Sequence, residues 1–368
     1  MTAPLQVLLV GPLPPPSGGM ANQTRQLSRL LEAEGVTVRV VQTNSPYRPQ
    51  WVAGIRGVRA VFRMFPYILR LAREAGNADV VHVMANSGWA WHLFAAPAIR
   101  IAASRDVPVI VNYRGGLAAE FLASRAASVR ATLARAAALV VPSRFLLEVF
   151  ANHGIHAAII PNVVDVATFR PAESPSERAP GAPHVVVARN LEHLYGNDLA
   201  IRALALLRGR FPEARLTVAG SGPELGALRR LAMELGIADA VHFPGRLEVP
   251  EMAALYQSAD VLVNPSRADN APNSILEALA CGVPVVSTSV GGVPFLVEHG
   301  RTAWLVKPDE PHLLADGIAR VLSDAELRRC LVGSGLSLAR ACSWDAVRAQ
   351  WLGLYRQLVG QGTPSAVH

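Results

Sequence analysis

Short apolar runs separated by amphipathic stretches recur along most of the chain. Residues 5–11 (LQVLLVG) have strand length. The turn PLPPPSGGM follows, and then residues 21–33, where Leu27, Leu30 and Leu31 recur at helical spacing. Residues 36–41 complete a βαβ unit, and strand-like runs follow at 79–84, 107–112, 138–142 and 156–161. From residue 184 the alternation restarts, with strands expected at 184–188, 215–219, 241–243, 260–264 and 284–288 and helices at 198–208, 224–235, 250–257 and 275–281. Strands alternating with helices predict parallel sheets with right-handed crossovers. Residues 171–183, PAESPSERAPGAP, carry no periodicity and read as a linker. The pattern predicts an α/β chain of two Rossmann-like domains facing a central cleft, over 1–175 and 176–342. A last helix over 343–359 carries Trp351, Leu354, Tyr355 and Leu358 on one side and needs a docking surface.

Length and charge sharpen this picture. A chain of 368 residues, 51% hydrophobic, has the size of two ordinary domains. The N-terminal run lacks a basic flank and a small-residue cleavage site, so it reads as a first strand rather than a leader. The longest apolar stretch, 88–104, is broken by His92, Pro97 and Arg100 and falls short of the roughly 20 residues of a membrane span. Three cysteines, Cys281, Cys330 and Cys342, have no metal-ligand spacing and suggest buried thiols in a reducing, cytoplasmic setting. Residues 1–180 hold 18 arginines against 10 acidic residues, whereas the rest of the chain is nearly balanced. The basic half is expected to meet something anionic. Within it, residues 51–75 place Arg56, Arg59, Arg63, Arg70 and Arg73 on one helical stripe beside Val58, Phe62, Phe65 and Leu69, with Pro66 expected to kink the helix. Two readings are open: an anionic membrane surface or polyprenyl-phosphate contact, or a helix with its apolar side on the core and its arginines in water. Nucleic acid is disfavoured, because no stacking platform or reading helix accompanies the charge.

Candidate chemistry concentrates in residues 264–292, NPSRADNAPNSILEALACGVPVVSTSVGG. Asp269 and Glu277 lie eight residues apart across a loop and a helix, so at most about 12 Å separates them along the helix axis. Carboxylates so spaced could accept hydrogen bonds from the hydroxyls of a ribose at one end and a hexose at the other. They could equally be a local cap or ion pair and a solvated loop acid. The turns Ser17-Gly18-Gly19 and Gly291-Gly292 could hold phosphate at a helix start or be plain strand-to-helix turns. Arg189 and Arg114, each following a predicted strand, could stabilise a diphosphate leaving group or be surface arginines. His82, within DVVHVM, is expected to be a buried, hydrogen-bonded histidine.

Taken together, GPLPPPSGGM, VPSRFLLEVFANHGI, IIPNVVDVATFRP, LTVAGSGPE, VHFPGR and the run from YQSADVLVNPS to VGGVPFLVEHGRTAWLV resemble the family-4 retaining glycosyltransferases of GT-B fold. The resemblance implies transfer from a nucleotide-sugar donor to a glycan or lipid-linked acceptor in cell-surface polysaccharide or glycolipid synthesis, with no cofactor and no obligatory metal. It also implies that the last helix crosses back onto the N-terminal domain. By the same resemblance Asp269 orients the transferred sugar, Arg189 serves the leaving diphosphate and Glu277 holds the ribose, while Arg114 is expected to replace the positive charge of the missing Lys. Gly18, Gly19, Gly220, Ser221, Gly222, Arg246, Asn270, Ala271, Pro272, Asn273 and Ser274 complete the donor site. Three departures stand out. Asp269 replaces the usual Glu, and Tyr195 stands near the expected Lys, while Arg114 occupies the place of a common His. A phosphorylase or synthase acting on a soluble glycoside, and a non-catalytic sugar-nucleotide-binding assembly protein, are the alternative readings.

Overall fold

The alternation of apolar runs with amphipathic stretches resolves, in a computed structural model, into two compact units. The structure describes residues 4–15, 18–46, 58–173 and 182–360. One unit holds the chain up to Pro161 together with the chain from Arg348 onward; the other is Asn162–Val347. The division therefore falls before the Pro- and Ser-rich segment, most of which lies outside the described residues.

The first unit is built on β1 (Gln6–Gly11), β2 (Thr37–Gln42), β3 (Val80–Ala85), β4 (Val109–Tyr113), β5 (Ala138–Val141) and β6 (Ala158–Ile159), all parallel, in the order β2-β1-β3-β4-β5-β6. Every residue of β3 and β4 is buried, as strands covered on both faces by crossover helices must be, which explains their continuous rather than alternating apolar runs. The polar exceptions in these two strands are His82 and Asn112. The last helix, Trp344–Gly360, contributes fully buried Trp351 and Tyr355 to this unit.

The second unit carries β7 (His184–Ala188), β8 (Arg215–Ala219), β9 (Val241–Gly245), β10 (Val261–Asn264), β11 (Val285–Thr288) and β12 (Trp304–Val306), again parallel, in the order β12-β11-β10-β7-β8-β9. Strand order reverses between β7 and β10, so these two neighbours send their following helices to opposite faces. A crevice at the carboxyl ends of such a pair is where open α/β sheets bind ligands. β12 and the helices Pro311–Ser323 and Ala325–Ala341 extend the unit beyond the elements predicted from periodicity.

Two expectations need correction. Cys281 and Cys342 are buried, but Cys330 is exposed. In the helix Val58–Ala75, the core side is Tyr67, Leu71 and Ala75, whereas Phe62, Phe65 and Leu69 are 40%, 65% and 55% exposed beside exposed Arg70 and Arg73. Of the two readings open for this helix, the one that turns Phe62, Phe65 and Leu69 to the core does not fit these exposures. The helix runs through Pro66 as one element, and Arg56 lies outside the described residues. Among the described residues no helix is long and apolar enough to cross a membrane.

Candidate active site

β7 stops where an apolar run meets Arg189, and β10 stops at Asn264; the two residues meet at the strand-order reversal. Arg189 Nε donates to Asn264 Oδ1 at 2.8 Å, and Arg189 Nη2 donates to Asp269 Oδ2 in an ion pair whose side chains are only 12% and 11% exposed. Asn264 is locked in turn, since its Nδ2 donates to Ser287 Oγ at 3.0 Å on β11. Ser266 Oγ lies 3.0 Å from Asn264 Oδ1 and 3.2 Å from Asp269 Oδ2, and the Asn270 backbone N–H donates to Asp269 Oδ1 at 2.9 Å. The Asp269 carboxylate is therefore already engaged by a guanidinium, a hydroxyl and an amide. Arg189 Nη1 makes no hydrogen bond among the described residues, and the Tyr195 ring lies over the guanidinium at 5.3 Å. Burial pushes Arg189 down to about 10, against the opposing pull of Tyr195, Tyr256 and Glu277.

Glu277 sits in the helix Asn273–Ala280 and accepts from Tyr256 Oη at 3.0 Å. Burial drives its carboxyl up to about 7, only partly offset by the Tyr256 hydroxyl and the Arg189 guanidinium. The two acids thus differ in state: Asp269 is paired, whereas Glu277 is partly buried, holds one hydroxyl and titrates near neutrality.

Several glycines shape this rim. Gly220 has φ +157°, and a Cβ there would lie 1.9 Å from the Arg189 carbonyl oxygen; Gly291 has φ +50°, and a Cβ there would lie 2.1 Å from the Asp269 carbonyl oxygen. These residues let loops pack backbone against backbone, which fixes where Arg189 and Asp269 stand. Gly222 packs in the same way, a Cβ there lying 2.3 Å from the Leu191 carbonyl oxygen. Ser221 joins the same loops, its carbonyl accepting from Leu191 N–H at 3.1 Å and its Oγ from Arg246 Nη2 at 3.0 Å. Asn270, Pro272 and Ser274 are buried, and Asn162 Nδ2 bridges the Ala271 carbonyl at 3.0 Å and Asn273 Oδ1 at 2.7 Å.

The remaining predicted residues belong to the first unit. Gly18 and Gly19 begin the helix Gly19–Ala33, whose Gln23 Oε1 accepts from Arg114 Nη1 at 3.1 Å. Arg114 also donates from Nε to Asn112 Oδ1 at 3.1 Å. Burial lowers its pKa to about 10.

Sequence reasoning missed Asn264, Ser266, Tyr256 and Asn162. The first two carried a signal, since Asn264 closes an otherwise apolar strand and Ser266 follows it after Pro265. It also missed Arg267, which grips Asp198 with two bonds of 2.9 Å and Asp309 Oδ1 at 2.7 Å, and so fastens the loop before Asp269 to the segment after β7. Burial by itself would raise the Asp198 carboxyl, but the bonds and charge of Arg267 hold it below the usual carboxylate range.

Comparison with known proteins agrees with this architecture. Sucrose-phosphate synthase from Thermosynechococcus elongatus superposes with a TM-score of 0.78 at 21% identity, covering 97% of this chain and 100% of that one. HepE of Anabaena, solved with UDP-glucose, gives 0.74 at 18% identity over 95% and 99% of the two chains. At these identities the likeness establishes the fold, the GT-B arrangement of two Rossmann-like units. In sequence, the D-inositol 3-phosphate glycosyltransferase of Pseudarthrobacter chlorophenolicus is 35% identical over 210 residues, 55% of this chain and 50% of that protein. The GDP-mannose-dependent alpha-(1-6)-phosphatidylinositol monomannoside mannosyltransferase of Mycobacterium tuberculosis is 33% identical over 207 residues, 52% and 53% of the two. The chain spans about half the length of the curated relatives it matches. Residues 170–334 match the family model for glycosyl transferases group 1, and residues 17–168 match that for glycosyltransferase family 4. With the two matches nearly contiguous, the chain belongs to the group 1, family 4 glycosyltransferases.

Proposed function

We propose that the protein is a retaining glycosyltransferase that moves a sugar from a nucleotide-sugar donor to a glycan or lipid-linked acceptor. The observation that carries this reading is the Arg189 guanidinium: part-buried at the β7–β10 reversal, clamped on two nitrogens by Asn264 and Asp269, with Nη1 open. A fixed, poorly solvated cation with one guanidinium nitrogen open suits an oxygen whose charge grows as a diphosphate departs. Glu277, one helix away, would accept from ribose hydroxyls.

Asp269 is engaged by Arg189, Ser266 and the Asn270 amide, which makes it a poor covalent nucleophile. That favours a front-face transfer in which the leaving phosphate oxygen takes the acceptor's proton while Arg189 holds the phosphate. In this reading Asp269 keeps Arg189 in place as well as meeting the sugar. No metal is required.

For the acceptor side, exposed Phe62, Phe65 and Leu69 beside Arg70 and Arg73 support docking on an anionic lipid surface, where apolar side chains enter the headgroup boundary and arginines meet phosphate. The reading places the protein on the cytoplasmic face of a membrane. A thermal-shift panel of UDP-, GDP-, ADP- and dTDP-sugars tests the donor site, because a ligand that binds only the folded protein raises its melting temperature. One nucleotide family should stabilise the protein, and nucleoside diphosphate should be released on addition of lipid-linked acceptor. No shift with any nucleotide overturns the reading.

A further inference from the structure

A chain of buried polar groups crosses the first unit from the last helix to Arg114. Tyr355 Oη lies 2.6 Å from His82 Nδ1, His82 Nε2 lies 3.1 Å from Asn112 Nδ2, and Asn112 Oδ1 accepts from Arg114 Nε at 3.1 Å. His82 and Tyr355 are fully buried, as is Asn112, in a sheet whose other inward positions are apolar. Such polar groups are costly to bury unless each finds a partner.

The chemistry of the end group fixes the direction of every bond. A guanidinium has donors only, so Asn112 must present Oδ1 to Arg114 and therefore Nδ2 to His82. His82 Nε2 must then accept, which puts the ring proton on Nδ1 and aims it at Tyr355 Oη. The ring has no room for a second proton, because Nε2–H would face the Asn112 amide donor. Burial and the Arg114 charge agree, lowering His82 to about 3. Packing fixes the ring as well: the Trp351 indole lies over it at 5.0 Å between centroids.

We propose that Tyr355, acting through His82 and Asn112, positions Arg114, so that the docked last helix sets the direction of a guanidinium at the carboxyl end of β4. Tyr355 and His82 are positioning residues here; neither reaches solvent or substrate. The helix that holds Tyr355 begins at Trp344, and the chain joins the first unit again at Arg348, so Arg114 becomes competent only after the end of the chain has folded onto that unit. The consequence for turnover rests on the transferase reading, whereas the direction of the bonds does not.

Nitrogen-15 NMR of the full-length protein tests the bond direction without any substrate. His82 should appear as the neutral Nδ1–H tautomer and remain so from neutral pH to about pH 5. The Nε2–H tautomer, or an imidazolium at pH 6, overturns the assignment. Asn112→Asp supplies a second acceptor in place of the amide donor and should invert His82 to Nε2–H; retention of Nδ1–H in that variant also overturns it. Tyr355→Phe keeps the packed ring and removes only the hydroxyl. It should lower kcat by about 5-fold with the donor KM unchanged, the size expected for loss of one neutral hydrogen bond that steadies the charged group. Unchanged kcat in Tyr355→Phe overturns the positioning role. Full activity in Arg114→Gln would instead remove Arg114 from the reaction and leave the tautomer result standing.

Discussion

Replacing Glu277 by glutamine removes a charge that the folded protein holds at a cost. The carboxyl rises from 4.5 to about 7 because burial outweighs the Tyr256 hydrogen bond and the Arg189 charge. A pKa raised on folding means that the native state binds more protons than the unfolded chain between about 4.5 and about 7. Wild-type stability therefore falls as pH rises through that window, and the full loss is present above it. At about 1.4 kcal/mol for each unit of pKa, the shift amounts to about 3 kcal/mol. The substituted amide keeps the shape and can still accept from Tyr256 Oη, but it does not titrate. Urea denaturation of wild type and Glu277→Gln at several pH values between about 4.5 and 8 isolates the effect, since the other titrating groups cancel in the difference. The variant should gain about 3 kcal/mol relative to wild type across the window. Parallel curves would show that Glu277 does not titrate there. A wild type that gains on the variant as pH rises would show that Tyr256 and Arg189 outweigh burial, and the reasoning would fail.

Further outcomes follow from the same geometry. Arg189→Gln leaves the Asp269 carboxylate without its guanidinium partner and should lose about 3 kcal/mol of stability by urea titration, whereas Arg189→Lys should recover part of that loss but not donor turnover, because an ammonium cannot span Asn264 and Asp269 with a planar fork. Gly291→Ala places a Cβ 2.1 Å from the Asp269 carbonyl oxygen at positive φ and should lower the thermal midpoint sharply; Gly353→Ala, with nothing near its Cβ and no positive φ, should not. Phe65→Ser should cut co-sedimentation with vesicles rich in anionic lipid while leaving nucleotide binding intact, and equal sedimentation would count against the exposed helix face as the docking surface. Turnover should survive chelation by EDTA; abolition restored by a divalent cation would bring a metal into the donor site.

The fold was legible wherever burial forces a simple pattern. β7 and β8 coincide with their predicted limits, because HVVVA and RLTVA are short apolar runs bounded by polar or turn residues. The helix expected over 275–281, with Pro272 or Asn273 as its candidate start, runs Asn273–Ala280 with Pro272 as its extended N-cap. Arg189, Asp269 and Glu277 were legible as polar residues at strand ends and on a helix between strands. Their pairing was not: Asp269 lies eighty residues from Arg189, and only the β7–β10 adjacency brings them together. Glycine told the same story in reverse. Gly291 was open to reading as a phosphate turn or a plain turn, and neither reading could show that a Cβ there would meet the Asp269 carbonyl oxygen of its own unit, as one at Gly220 would meet that of Arg189. His82 was read as a buried, hydrogen-bonded residue, yet its partner Tyr355 is 273 positions away and could not be named from the sequence.

In the proposed function Arg189, with its open Nη1, and Glu277 form a nucleoside-diphosphate site in the second unit. Calorimetric titration of UDP, GDP, ADP and dTDP into wild type, Arg189→Lys and Glu277→Gln measures it directly. One nucleotide should bind wild type at a single site, and each variant should bind it at least about 10-fold more weakly, the cost of losing a charge-assisted hydrogen bond. Binding of no nucleotide by a folded wild type, or equal affinity in all three proteins, would contradict the account.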